Sequence, residues 1–395
     1  MNQNRLLVTV VIVAIALLAV LSARDADAIP AFARKYQMSC STCHAPFPRL
    51  KPYGEEFAAR GFRMEDASKE PSRATFDVGD PLLKLSRDLP LAVRFDGWAS
   101  WKEDAAAEYD FEWPWSLKLL SGGPIADHVS YYFYGILEQG ESIKLEDTFM
   151  QFTSVFNLPV DLTVGQFQVS DPIFKRELRL ERNDYAIFKM KIADVPTNLT
   201  YDRGLVLSWH APAEVEVVFE AVNGNGIEPA ENDNFDSNGY KNTALRLMRQ
   251  FGPVRVGAFG YLGKIGRIEE GEDRVNKTEY IGPDLIVDLG EKWQLSACWL
   301  RRTDSDPYFG LGPIDVVTEG GFGELNYFPR GQDGRWAVSL LYNRVTTDDI
   351  FADEVENASV TLNYLLARNL RLSGEVEHDL NAESSRVSVG FITAF

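Results

Sequence analysis

The chain has 395 residues, with 58 acidic against 40 basic side chains and a formal net charge of −18. That length suits two domains, and that charge excludes nucleic acid as a partner. Three cysteines are too few for a disulfide framework, since two of them stand together and Cys298 is alone.

Residues 1–28 read as a secretory signal. Arg5 supplies the positive start, residues 6–21 are apolar apart from Thr9, and Ala26-Asp27-Ala28 is a small-x-small cleavage site. The apolar run is shorter than the roughly 20 residues of a spanning helix. No later segment is long and apolar enough to span as a helix. A membrane protein built from the remaining chain is therefore a closed barrel.

Residues 29–88 follow a different pattern and carry a Cys-x-x-Cys-His element, so they are expected to form a small α-helical monohaem cytochrome c segment and a linker. Cys40-Ser41-Thr42-Cys43-His44 is the attachment site for c-type haem. Two thiols three positions apart can each bond one vinyl group, and the adjacent His44 reaches the iron as proximal ligand. A zinc site would need a second pair of ligands. A thioredoxin-like pair would need a βαβ setting. Leu50, Gly54, Phe57 and Gly61 share one helical stripe after Pro52, a residue suited to a helix start. Gly54 and Gly61 are read as letting a flat ring approach the backbone. The segment is too short to bury a large core, so haem supplies much of its apolar filling. For the distal iron ligand Met64 is preferred, with His210 or His128 behind it, and an open sixth position is the alternative. The stretch 65–88 reads as a linker.

From residue 89 to 395 the pattern alternates with period two. Val215, Val217 and Phe219 alternate with Glu216, Val218 and Glu220. Leu370, Leu372 and Val376 alternate with Arg371, Ser373, Glu375 and Glu377. One face suits lipid and the other a wet lumen, which predicts an antiparallel transmembrane β-barrel of about 16 strands. The strands are expected near Leu89, Phe111, His128, Ile143, Asp161, Gly204, Val215, Tyr240, Val254, Thr278, Trp293, Val317, Trp336, Val355, Leu370 and Ser384. Short turns such as Ala211-Pro212-Ala213 and Phe251-Gly252-Pro253 fall at every second connection, where periplasmic turns belong. The longest connection, residues 170–203, is an external loop that either folds into the channel or stays solvated. Other external loops carry acidic groups, among them Asp104, Glu231, Asp236, Asp349 and Glu354, suited to gathering cations or to solubility. Phe395 ends an amphipathic last strand, the usual signal for outer-membrane barrel assembly.

Pro30-Ala31-Phe32-Ala33-Arg34, then Cys40 to His44, Phe47-Pro48, Leu50, Gly54, Phe57 and Gly61-Phe62 resemble the fused monohaem cytochrome–porin family, the outer-membrane iron oxidases of iron-oxidising bacteria. The resemblance covers about 35 residues; the rest agrees in architecture alone. It implies a covalent haem c on Cys40 and Cys43 with His44 as proximal ligand. It implies electrons taken from extracellular ferrous iron, or another metal, to a periplasmic carrier, with the barrel held in outer-membrane lipid. Two alternatives remain open: outward electron transfer to extracellular metal, and a solute-diffusion porin with the haem segment as plug or sensor.

Overall fold

The computed structural model describes residues 31–395 apart from 67–74, 81, 82, 84, 88, 89, 231, 232, 237, 270, 271 and 311–313. The expected signal, residues 1–28, and much of the expected linker lie outside the described residues.

Sixteen antiparallel strands close into one barrel. They are β1 Leu91–Lys102, β2 Tyr109–Ala126, β3 Val129–Glu138, β4 Lys144–Phe152, β5 Val160–Gln168, β6 Tyr201–Ala211, β7 Val215–Val222, β8 Asn242–Phe251, β9 Val254–Glu269, β10 Glu272–Leu289, β11 Trp293–Asp304, β12 Val316–Tyr327, β13 Trp336–Thr347, β14 Val355–Ala367, β15 Leu370–Asp379 and β16 Ser384–Ala394. Each strand pairs with its sequence neighbours, and β16 pairs with β1 to leave no free edge. At that seam Val93 and Phe395 exchange both backbone hydrogen bonds, at 2.7 and 2.9 Å.

Alternation in the sequence becomes alternation in space. On β15, Arg371, Ser373 and Glu375 are buried in the lumen, whereas Val376 is exposed. On β7, Phe219 is exposed and Glu220 is buried. Leu117, Leu207, Leu247, Ile281, Val360 and Val389 also stand on the outer face with their side chains exposed. Such an apolar exterior suits hydrocarbon rather than water.

The connections differ between the two ends. Gly252-Pro253 joins β8 to β9, and Arg368-Asn369 joins β14 to β15. The opposite end carries the longer loops, including residues 169–200 between β5 and β6. That long loop enters the barrel, and this settles the choice left open by its sequence. Its Tyr185 stacks on Phe322 of β12 with ring centroids 3.9 Å apart, and Phe174 and Phe188 meet the same ring edge-on. Arg302 of β11, fully buried, donates to the Met190 carbonyl at 2.9 Å and holds the loop to the wall. Arg182 lies over the Trp98 and Trp115 rings and donates to Ser388 and Glu112. Burying an arginine is costly, and here two rings and two acceptors offset that cost.

Residues 31–66 occupy the short-turn end of the lumen. They form three short helices, α1 Ala31–Tyr36, α2 Cys40–Cys43 and α3 Pro52–Ala59. Arg34 donates to the Leu91 carbonyl, and Gln151 of β4 donates to the Ala59 carbonyl at 2.9 Å. Phe47 packs with Trp98, Leu365 and Ile392. Ala45 packs with Leu180 of the inward loop, alongside Phe328 and Ala337. The N-terminal segment and the loop thus meet inside the barrel.

Two carboxylates of the acidic loops at the other end accept bonds from their own loops or a neighbouring one. Asp236 accepts from the backbone of Asn238 and Gly239, and Asp349 accepts from Tyr308 and the Phe351 backbone. These carboxylates shape their own turns.

Candidate functional site

Ser39 starts the Cys-x-x-Cys-His turn, its hydroxyl accepting from the Ser41 backbone at 3.3 Å. One helical turn follows, closed by the His44 N–H donating to the Cys40 carbonyl at 2.9 Å. The chain then doubles back. His44 and Leu50 form an antiparallel bridge, and the Lys51 N–H donates to the Cys43 carbonyl at 2.8 Å. Pro52 begins α3, where its missing N–H leaves nothing unsatisfied.

Helix α3 lies against that turn at Gly54. A Cβ there would stand 2.3 Å from the Cys43 carbonyl oxygen. Gly54 is therefore required by backbone against backbone, and it also lines the cavity described below. Gly61 has φ +69° and ends the helical stretch, so its role is conformational. Phe57 centres an aromatic cluster, meeting Phe32 and Tyr36 edge-on at 5.4 Å. Phe62 stacks on Phe32 at 4.9 Å and reaches Tyr132 of β3.

His44 has its Nδ1 3.0 Å from the Pro48 carbonyl oxygen. A carbonyl only accepts, so Nδ1 carries the proton and Nε2 keeps its lone pair. Burial lowers the His44 pKa, which keeps the ring neutral. Both states suit metal ligation through Nε2. Burial raises the Cys40 thiol, and burial with the neighbouring Cys40 pushes Cys43 up to about 11. Burial thus works against a thiolate at either cysteine, a poor setting for a redox nucleophile.

Cys40, Cys43 and His44 all line one cavity of about 810 Å³, with Phe32, Phe57 and Phe62 on their side and Tyr132 and Phe149 on the barrel wall. That volume lies in the range of cofactor pockets, roughly 300–1,000 Å³. The residues present fit a haem c: two adjacent thiols, an oriented neutral imidazole and an aromatic lining.

The other sequence-derived ligands are placed differently. Met64 packs on the Phe57 cluster but is not among the residues lining the cavity. His210 lines the cavity, with its Nε2 3.0 Å from Asp161 Oδ2. His128 sits in the β2–β3 turn with φ +60° and is not among the lining residues. Met38 and Met248 do line the cavity and were missed. For Met248 a signal existed, since it shares strand parity with lumen-facing Arg246.

No family model and no curated protein matches the chain. Solved porin structures do. An anion-selective porin from Comamonas acidovorans is similar with a TM-score of 0.58 at 12% identity, covering 77% of this chain and 98% of that one. The outer membrane channel DcaP of Acinetobacter baumannii gives 0.55 at 11% identity, covering 78% and 97%. OmpF of Salmonella typhi, in complex with daunomycin, gives 0.54 at 10% identity, covering 81% and 100%. At these identities the likeness shows the fold, a porin-like barrel.

Proposed function

We propose that this chain is a porin-type barrel of the outer membrane, plugged at its periplasmic mouth by a haem-binding segment. The observation that carries this reading is the pairing of an apolar barrel exterior with a lumen occupied from one end by residues 31–66. Arg49 joins that segment to the wall, donating to Gln294 and Glu324. Arg255 and Glu55 add an ion pair at 3.5 Å. The short turns would face the periplasm and the long loops the exterior.

A second reading, electron transfer, is favoured by the oriented His44 beside two cysteines on one cavity. A bound haem c supplies a one-electron iron couple. Cys40 and Cys43 would hold the porphyrin through thioethers, and His44 Nε2 would ligate the iron while Pro48 fixes its ring. The Phe32, Phe57 and Phe62 rings would exclude water. The distal ligand would come from Met38, Met248 or His210 on the cavity, or from Met64 after a local shift. Under this reading extracellular ferrous iron, or another metal, would be the donor and a periplasmic carrier the acceptor. The reverse direction uses the same parts.

Two measurements separate the readings. The first is the visible spectrum of detergent-purified protein from a host competent in cytochrome c maturation, followed by anaerobic mixing with ferrous iron. Rapid growth of reduced haem bands supports electron transfer. The second is conductance in a planar bilayer. Steady ion conductance without haem reduction by iron supports a plugged solute channel. A protein without a covalent haem spectrum would remove the haem from both.

A further inference from the structure

We propose that Lys264 and Lys277 bind the phosphates of a phosphorylated, acylated lipid of the outer leaflet, the chemistry of lipid A. This rests on the reading of the chain as an outer-membrane barrel whose long loops stand outside. The two lysines, on β9 and β10, are direct cross-strand partners. Both are exposed. They share strand parity with Leu262 and Ile281, which are 61% and 68% exposed on the outer face. The alternate positions Tyr261, Thr278 and Tyr280 are buried toward the lumen.

Their height follows from the strands below them. On the outer face of β9 every position from Val254 to Leu262 is apolar, and so is every outer position of β10 from Ile281 to Leu289. The first charges above that surface are Lys264, Lys277 and Glu279. Ten residues of strand, from Val254 to Lys264, rise about 33 Å along the strand axis. At a tilt of about 35–45° that is close to the roughly 25 Å height of an outer-membrane apolar band. The lysine pair therefore stands where acyl chains end and headgroups begin, continuous with the lipid-type wall.

Like charges directly opposite each other on a sheet are destabilising. Other basic groups near this level are engaged. Arg301 on β11 donates to Glu319 at 2.6 Å, and Arg267 on β9 donates to the Asp194 carbonyl at 2.6 Å. Among the described residues neither lysine ammonium has such a partner. Glu279 opposes Leu262 on the same face and is one carboxylate against two ammoniums. A phosphate monoester carries a charge of about −1.5 to −2 and three acceptor oxygens. It can serve both ammoniums, whose Cβ atoms in such a pair stand about 5 Å apart. The acyl chains of the same lipid would lie along Leu262 and Ile281. A free phosphate would satisfy the lysines alone and leave that apolar flank unused.

The test is native mass spectrometry of the full-length protein in detergent, titrated with bisphosphorylated lipid A. Heat-dependent gel migration verifies that each barrel is closed. The wild type should bind lipid A, and the double variant Lys264→Gln, Lys277→Gln should bind it roughly 30-fold more weakly, from the usual contribution of a lysine at an anionic membrane surface. If the double variant does not close, Lys277→Gln alone carries the comparison, with a loss of about fivefold. Dephosphorylated lipid A should bind wild type and variant alike. Equal binding of lipid A by wild type and the closed variant would overturn the proposal. Inorganic phosphate displacing lipid A at equal concentration would also overturn it, by making the pair a free-anion site. A closed wild-type barrel that binds no lipid A overturns the lysine site and leaves the outer-membrane reading standing, whereas a wild type that never closes overturns both.

Discussion

Arg49 and Tyr185 bind the two oxygens of a single carboxylate. Arg49 Nη1 donates to Glu324 Oε1 at 2.5 Å, and the Tyr185 hydroxyl donates to Glu324 Oε2. Arg49 belongs to the N-terminal segment, Tyr185 to the inward loop, and Glu324 to β12. The Glu324 side chain is fully buried. One wall residue therefore holds both elements that fill the lumen.

Removing Arg49 should loosen the plug. Breaking one side of a buried ion pair costs about 3–5 kcal/mol, because the remaining charge is stranded. Arg49→Ala should raise bilayer conductance and expose the segment around Arg60 to trypsin. Unchanged conductance and unchanged protease resistance would mean that the other anchors suffice.

Gly54→Ala tests the contact between α3 and the Cys43 backbone. The added methyl has no room, and overpacking of this kind costs about 1–3 kcal/mol. The expected outcome is a lower ratio of covalent haem to protein, with the barrel still closed. A haem ratio equal to wild type would show that the helix can shift without disturbing the cysteines.

The outer face makes a separate prediction. Leu247 is 52% exposed on β8, between Val217 and Ala258. A basic residue facing the middle of a bilayer costs about 2–4 kcal/mol. Leu247→Arg should reduce folding yield into lipid vesicles and lower the denaturant midpoint by a matching amount. No change in either would argue against lipid on this face.

The inward loop should release in acid. Burial raises the pKa of Glu177, but Lys118 and Arg179 outweigh it and hold the group at about 2. Arg179 and Arg176 likewise hold Asp184 well below the carboxylate range against its burial. A carboxylate depressed in the folded state contributes stability above its unfolded pKa, about 4.3 for Glu. That contribution fades as pH falls from about 4.3 through about 2. Protease accessibility of the loop should rise below about pH 4. A Glu177→Gln variant should show a smaller acid response.

Most strands were legible because lipid and lumen impose opposite demands on successive residues. Val215, Val254, Trp293, Trp336, Val355, Leu370 and Ser384 begin strands where alternation places them. The largest displacement is β10, which starts at Glu272 rather than near Thr278. Its first turn-side residues, Asp273, Arg274 and Lys277, are polar on both faces, so no amphipathic signal marks them. The cysteines and His44 were legible from their spacing, and the neutral, oriented imidazole was not. That orientation depends on the carbonyl of Pro48, which only the reversal after His44 brings into reach.

Sequence by itself determined the barrel, its strand count, the identity of the lipid-type and lumen-type faces, and the Cys-x-x-Cys-His element. Each of these is written in local periodicity or in a short motif. Tertiary structure alone decided which distant groups share the lumen. It set Arg49 and Tyr185 on Glu324, put Leu180 against Ala45, and left both carboxylate oxygens of Glu220 without a hydrogen-bond partner on the lumen wall. Those relationships join residues far apart in the chain, and closure of the sheet is what brings them within hydrogen-bonding and packing distance.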